Sequence, residues 1–119
     1  MYLFLIRHGD AEMQTNDNAR TLSVSGRAEA AALGKWLARY RLNAPTVWHS
    51  NKVRTGQTAS IIAENAGWTS TPSEIEGLRP SSAVEPIAMK VAAETSDPVI
   101  VGHMPFMSLM ASSILTGGR

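Results

Sequence analysis

Tyr2-Leu3-Phe4-Leu5-Ile6-Arg7-His8-Gly9 opens the chain with an apolar run that ends in a cationic, histidine-bearing tripeptide. Near the other end, Val99-Ile100-Val101-Gly102-His103 repeats the pattern. Short, continuous apolar runs bounded by turn residues read as buried strands. Open parallel sheets place their ligand crevice outside the carboxyl ends of the strands. Each run therefore delivers a histidine to the place where such sheets bind ligands. The repetition sets both the reading of the fold and the search for a site.

Working outward from these two strands, helix-like and strand-like periods alternate, which reads as an α/β fold with a mainly parallel sheet. Gly9 to Thr21 carries Asp10, Asn16, Asp17 and Asn18 and has loop chemistry. A helix follows, capped by Ser23 or Ser25, with Glu29 near the position of a capping-box partner. Leu33, Trp36, Leu37 and Tyr40 have the spacing of its buried stripe. Asn43-Ala44-Pro45 ends it. Thr46-Val47-Trp48-His49 is a short second strand, and Ser50 is placed to cap the next helix. That helix buries Ala59, Ile62, Ala63 and Ala66 and stops at Gly67.

A weak strand over Ser73 to Glu76 precedes a loop and a third helix. Ser81 or Ser82 is placed to cap that helix, which is built on Val84, Ile87, Ala88 and Val91, with Pro86 in its first turn. Pro98 opens the last strand. After His103, Pro105 starts a helix with Met107, Met110, Ala111 and Ile114 on one face, ended by Gly117-Gly118. The methionines and tryptophans read as core fill, because they fall inside these stripes.

The chain has 119 residues, enough for one domain and one core over residues 1–119. Hydrophobic residues make up 44%, which excludes a disordered chain. Lys and Arg total 11 against 10 Asp and Glu, so no basic face for nucleic acid is expected. There is no cysteine, which excludes disulfides, thiol catalysis and thiolate metal sites and suits a cytoplasmic location. The apolar start is too short and lacks the flanks of a signal peptide, and no stretch reaches membrane-spanning length. No nucleic-acid or membrane partner is expected.

A third cationic element lies just after the second strand, in Ser50-Asn51-Lys52-Val53-Arg54-Thr55-Gly56-Gln57-Thr58. In a helix beginning at Ser50, Arg54 sits one turn in and reaches back over the strand ends. Arg7, His8, Arg54 and His103 then share one small volume. Arginine forks match phosphate oxygens, and a cationic His103 adds a further charge-assisted donor. Charges of one sign held so close ask for an anion between them, and a dianion answers best. With only three histidines and no cysteine, no metal-ligand set is evident. His49 reads as a strand-end residue outside this group.

Arg7-His8-Gly9, Arg54 and Gly102-His103 resemble the histidine phosphatase superfamily, also called phosphoglycerate mutase-like. Within it, Arg7-His8-Gly9-Asp10-Ala11, Asp17 to Ser23, Ser50 to Thr58 and Val101-Gly102-His103-Met104-Pro105 look most like the small phosphohistidine phosphatases of the SixA type. The resemblance runs in order along the whole chain. It implies a three-layer αβα fold, no cofactor and no metal. It also implies that neutral His8 attacks phosphorus, becomes phosphorylated and is then released by water. Arg7, Arg54 and protonated His103 would bind the phosphoryl oxygens.

Larger members protonate an alcohol leaving group with a carboxylic acid from a loop after the third strand. Here Glu74, Glu76 and Glu85 are weak candidates for that acid, and Asp10 and Glu12 lie near the nucleophile in sequence. A missing acid suits a leaving group that departs readily, such as a phosphorylated imidazole. Relatives also continue beyond the last helix, so the short carboxyl end is either minimal or truncated. The resemblance thus implies a phosphatase for phosphohistidine in a signalling phosphotransfer protein. The alternatives are a phosphatase or mutase for small phosphorylated substrates and a non-catalytic phosphate-binding module.

Overall fold

Pro98–Gly102 is buried at all five residues and runs parallel between two neighbours, which makes it the axis of the molecule. The structure, a computed structural model, describes residues 3–40 and 45–115. The elements are β1 (Phe4–Arg7), a 3-10 turn (Asp17–Ala19), α1 (Val24–Leu37), β2 (Thr46–His49), α2 (Val53–Ala66), β3 (Ser73–Glu74), α3 (Glu85–Ala92), β4 (Pro98–Gly102) and α4 (Phe106–Leu115). Among the described residues the sheet has the order β1-β4-β2-β3, and every pairing is parallel. Tyr2, Asn43, Ala44 and the Gly117-Gly118 stop lie outside the described residues. No described helix is long and apolar enough to cross a membrane.

Strand side chains alternate between faces, and this divides the interior in two. Val99 and Val101 pack with Ile6, Val47, Ala30 and Leu37 of α1, and Ala59 and Ile62 of α2. Ile100 faces the other way, with Trp48, Ile87 and Val91 of α3, and Phe106, Met107 and Met110 of α4. Helices thus cover both sides of the sheet, giving three αβα layers.

The first helix departs from the expected stripe. Its buried residues are Gly26, Ala30, Gly34 and Leu37, while Trp36 and Tyr40 are exposed and pair with ring centroids 5.0 Å apart. The reason is the closeness of α2. A Cβ on Gly34 would lie 2.7 Å from both the Ile62 carbonyl oxygen and the Asn65 Cβ. A face of small residues allows this approach, and the large rings turn outward.

Other expectations are corrected in the same way. Ser23, not Ser25, caps α1 by accepting the Gly26 N–H at 3.0 Å. Lys52 and Val84 stand at the starts of α2 and α3 without a side-chain cap. Ser50 has another use, and Ser82 accepts the Arg79 N–H instead. The third strand shrinks to two exposed residues. Met107, Met110 and Trp48 do fill the core, but Met13, Met89, Met104 and Trp36 are exposed, as is Ile114. Gly67 ends α2 at φ 74° as expected.

Overpacking the α1–α2 contact is expected to be costly. Gly34→Val should destabilise the fold by about 1–3 kcal/mol in urea unfolding. Trp36→Ala should change stability by no more than about 0.5 kcal/mol. The reverse ranking would refute the small-residue interface.

Candidate active site

The β1–β4 pairing continues past the strand ends, because the His8 N–H donates to the Gly102 carbonyl at 3.1 Å. This places His8 beside the residue that follows Gly102. The His8 and His103 rings meet edge to face, with centroids 5.1 Å apart. The neighbouring pairing of β2 with β4 brings Ser50 to the same point, with its Oγ 2.6 Å from His103 Nε2.

The first turns of α2 supply the rest. Arg54 is buried, and its Nε donates to His8 Nε2 at 3.3 Å. Thr58 Oγ1 accepts the Gly9 N–H at 3.2 Å and donates to the Arg54 carbonyl at 2.7 Å. Gln57 Oε1 accepts the Leu22 N–H at 2.8 Å. Helix α1 closes in from the other side, where a Cβ on Gly26 would stand 2.0 Å from the Asp10 carbonyl oxygen. The loop that carries the nucleophile candidate is therefore held by both helices.

His8 has a defined proton arrangement. Its Nδ1 lies 2.7 Å from the Gly9 carbonyl, which only accepts, so the proton sits on Nδ1. Nε2 keeps its lone pair and takes the Arg54 bond. Burial lowers the His8 pKa most; the Gly9 bond opposes this, and Arg54, Arg7 and Arg20 lower it further. The ring is neutral at pH 7, with Nε2 unprotonated.

In the empty site His103 is not yet the cation expected with an anion bound. Burial, then His8, Arg54 and Lys52, push its pKa down to about 4, and Asp17 only partly opposes them. With no ligand bound it is a neutral ring.

The anion that the cations require is also present within the chain. Asp17 accepts from Lys52 Nζ at 3.0 Å, Arg54 Nη2 at 3.4 Å and Arg20 Nη1 at 3.4 Å, and its carbonyl accepts from Arg54 Nη1 at 2.7 Å. Lys52 foremost, then Arg54 and Arg20, lower the Asp17 pKa to about 2. Arg7, by contrast, is exposed at the end of β1.

A cavity of about 770 Å³ opens beside His8. Arg7, Arg20, Asp10 and Glu29 line its polar part, and Ile6, Ala30, Leu33 and Ile62 line its apolar part. Of the acid candidates, Asp10 is at this cavity, with its Oδ2 accepting from Ser23 Oγ at 2.7 Å. Glu76 is exposed beyond β3 and, like Glu74, Glu85 and Glu12, does not line it. His49 turns its Nδ1 to the Ser50 carbonyl at 2.8 Å.

The structure thus brings His8, Arg54 and His103 together and sets Arg7 at the cavity's edge. Arg20, Asp17, Ser50 and Thr58 were missed as site residues. Arg20 and Asp17 carried a signal, since both lie in the polar loop that follows the nucleophile candidate.

A neutral imidazole with an unprotonated nitrogen thus sits among arginines at the ends of parallel strands. The chain belongs to the histidine phosphatase superfamily (branch 1), whose family model matches residues 3–80. No curated protein matches the sequence.

Among solved structures, the chain is similar to the protein histidine phosphatase SixA complexed with tungstate. The TM-score is 0.86 at 22% identity, over 95% of this chain and 76% of that one. A protein of Agrobacterium tumefaciens assigned as the phosphohistidine phosphatase SixA gives 0.81 at 23% identity, over 95% and 75%. A protein of Escherichia coli K-12 assigned as an alpha-ribazole-5'-P phosphatase gives 0.77 at 16% identity, over 98% and 80%. These likenesses establish the phosphoglycerate mutase-like fold.

The depressed histidines make stability depend on pH. Between pH 6.5, the ordinary imidazole value, and about 4, the unfolded chain binds protons that native His103 refuses. Stability from this source is full above pH 6.5 and is lost as pH falls toward 4. His8 is depressed too and acts in the same direction. Asp17 starts to cost stability only below its ordinary 3.8. Urea midpoints should therefore fall between pH 7 and 5, and less steeply in His103→Asn. Equal slopes for the two proteins would contradict the buried neutral ring.

Proposed function

We propose that the protein removes a phosphoryl group from phosphohistidine in a phosphotransfer protein, through a phosphorylated His8. The single observation that carries this reading is the His8 arrangement. Nδ1–H is fixed on the Gly9 carbonyl, while Nε2 is unprotonated and accepts the Arg54 Nε–H.

In the proposed reaction His8 Nε2 forms the N–P bond as the bond from phosphorus to the substrate's imidazole breaks, and that ring, protonated on its other nitrogen, departs as neutral imidazole. Arg54 Nε–H turns from His8 to a phosphoryl oxygen, and Arg7 meets the anion from the cavity side. As negative charge gathers on the equatorial oxygens, these donors stabilise it more than in the ground state. Water then attacks phosphorus, breaks the N–P bond, gives inorganic phosphate and restores neutral His8. The Gly9 carbonyl stabilises the transient cationic ring by holding its Nδ1–H.

The leaving group decides the substrate class. Asp10 is already an acceptor from Ser23, and Glu76 is exposed and does not line the cavity beside His8. An imidazole leaves without the hundred- to ten-thousand-fold help, in rough terms, that an alkoxide needs from a general acid. A cysteine-free chain suits the cytoplasm, where such a phosphoprotein partner would be met. One observation favours a second reading, a phosphatase for small phosphorylated molecules. The cavity beside His8 has the size of a small-molecule site, and Glu29 at its wall is a carboxyl group available to that chemistry.

Rapid quench with labelled substrate should trap acid-labile phosphate on His8, and His8→Ala should abolish turnover. Arg54→Ala should cost roughly a hundredfold or more in kcat. Trapping acid-stable phosphate elsewhere would end the histidine-nucleophile reading. Absence of any turnover would leave only a phosphate-binding module.

A side-by-side measurement of kcat/KM should favour a phosphohistidine protein over glucose 6-phosphate by about a hundredfold or more. Equal or better turnover of the sugar phosphate would transfer the assignment to the second reading.

A further inference from the structure

Ser50, His103 and Thr55 are 1%, 3% and 0% exposed, and their polar atoms form a directly hydrogen-bonded chain. Thr55 Oγ1 lies 2.8 Å from the Lys52 carbonyl and 3.0 Å from the Ser50 carbonyl. Carbonyls only accept, so the single Thr55 hydroxyl hydrogen is committed to them. Toward Ser50 Oγ, 2.8 Å away, Thr55 can then only accept, so Ser50 donates to Thr55. Ser50 Oγ has spent its hydrogen and receives the Lys52 N–H at 3.4 Å. The remaining bond, 2.6 Å to His103 Nε2, must run from the ring to the serine.

The geometry assigns Ser50 as a positioning residue that pins the proton of His103 on Nε2. His103 Nδ1 is then the nitrogen that gains a proton when a doubly charged oxyanion binds. The assignment rests on the phosphoryl-transfer reading for its purpose, though not for its proton placement.

The groups facing His103 make the resting state neutral and the bound state cationic. His8 from the end of β1, Arg54 from α2 and Lys52 at the start of α2 all oppose a charge on the ring, and only Asp17 favours it. A dianion held by Arg54 reverses that balance, and the ring takes up one proton. Ser50 keeps its hydrogen bond in both states, so the ring does not have to turn. Without Ser50 the neutral ring is free to carry its proton on Nδ1 and to meet the oxyanion uncharged.

The test uses the wild-type protein with Ser50→Ala, Thr55→Val and Thr55→Ser, and inorganic sulfate as a dianion that does not titrate near neutral pH. Long-range ¹⁵N–¹H spectra of the His103 ring should show the Nε2–H form at pH 7 without sulfate and both nitrogens protonated with it. Calorimetry in two buffers of different ionisation enthalpy should show about one proton taken up per sulfate bound. Ser50→Ala and Thr55→Val should give mixed ring forms, less than half of that uptake and about tenfold slower hydrolysis of p-nitrophenyl phosphate. Thr55→Ser should restore the wild-type pattern. A wild-type ring already in the Nδ1–H form would overturn the assignment, as would unchanged spectra and uptake in Thr55→Val if Ser50→Ala does not fold. An enzyme inactive on every phosphate would defeat the proposed function, while the ring spectra would still decide the role of Ser50.

Discussion

Everything at the site depends on β4 lying between β1 and β2. The chain makes β1 first and β4 last, yet hydrogen bonding sets Arg7 opposite Gly102 and His49 opposite Val101. Three segments far apart in sequence therefore end at one level, and each contributes one polar group just past its last ladder bond. The His8 N–H to Gly102 carbonyl bond extends this discipline by one residue. A slip of one residue would turn every strand side chain to the other face and separate the two rings. The apolar sandwich on both sides, with Val99, Ile100 and Val101 fully buried, makes such a slip very costly.

This arrangement explains which parts were legible in the sequence. The strands and their terminal histidines were readable because the pattern is local: an apolar run, then the polar group. Arg54 was readable because it follows a strand end by a short, countable distance. The α1 stripe was not, since a hydrophobicity pattern favours large residues, whereas the contact with α2 selects small ones such as Gly34. Trp36 and Tyr40 have helical spacing but face the wrong way.

Ser50 and Asp17 show a different limit. Ser50 has the composition of a helix cap, and only the neighbouring strand reveals that its hydroxyl belongs to His103. The bonds from Asp17 to Lys52 and Arg54 join residues 35 and 37 positions apart, beyond what spacing can report. The charge of His103 in the empty site was not legible, for an energetic reason. Its cationic form was inferred from a bound anion, but the empty site buries the ring among other cations, and desolvation outweighs the single favourable carboxylate.

The Asp17 contacts bear on how quickly a ligand can leave. A carbonyl and a carboxylate already hold one N–H on each terminal nitrogen of Arg54. Each terminal nitrogen carries two N–H donors, and an oxyanion that takes the bonds now held by Asp17 gains there only the difference between two sets of similar bonds. What is lost in grip is returned at the end of the cycle, because the internal carboxylate is ready to reclaim the guanidinium as the product departs. A site built this way favours release over retention, with the exposed carboxylate of Asp17 as the competing anion.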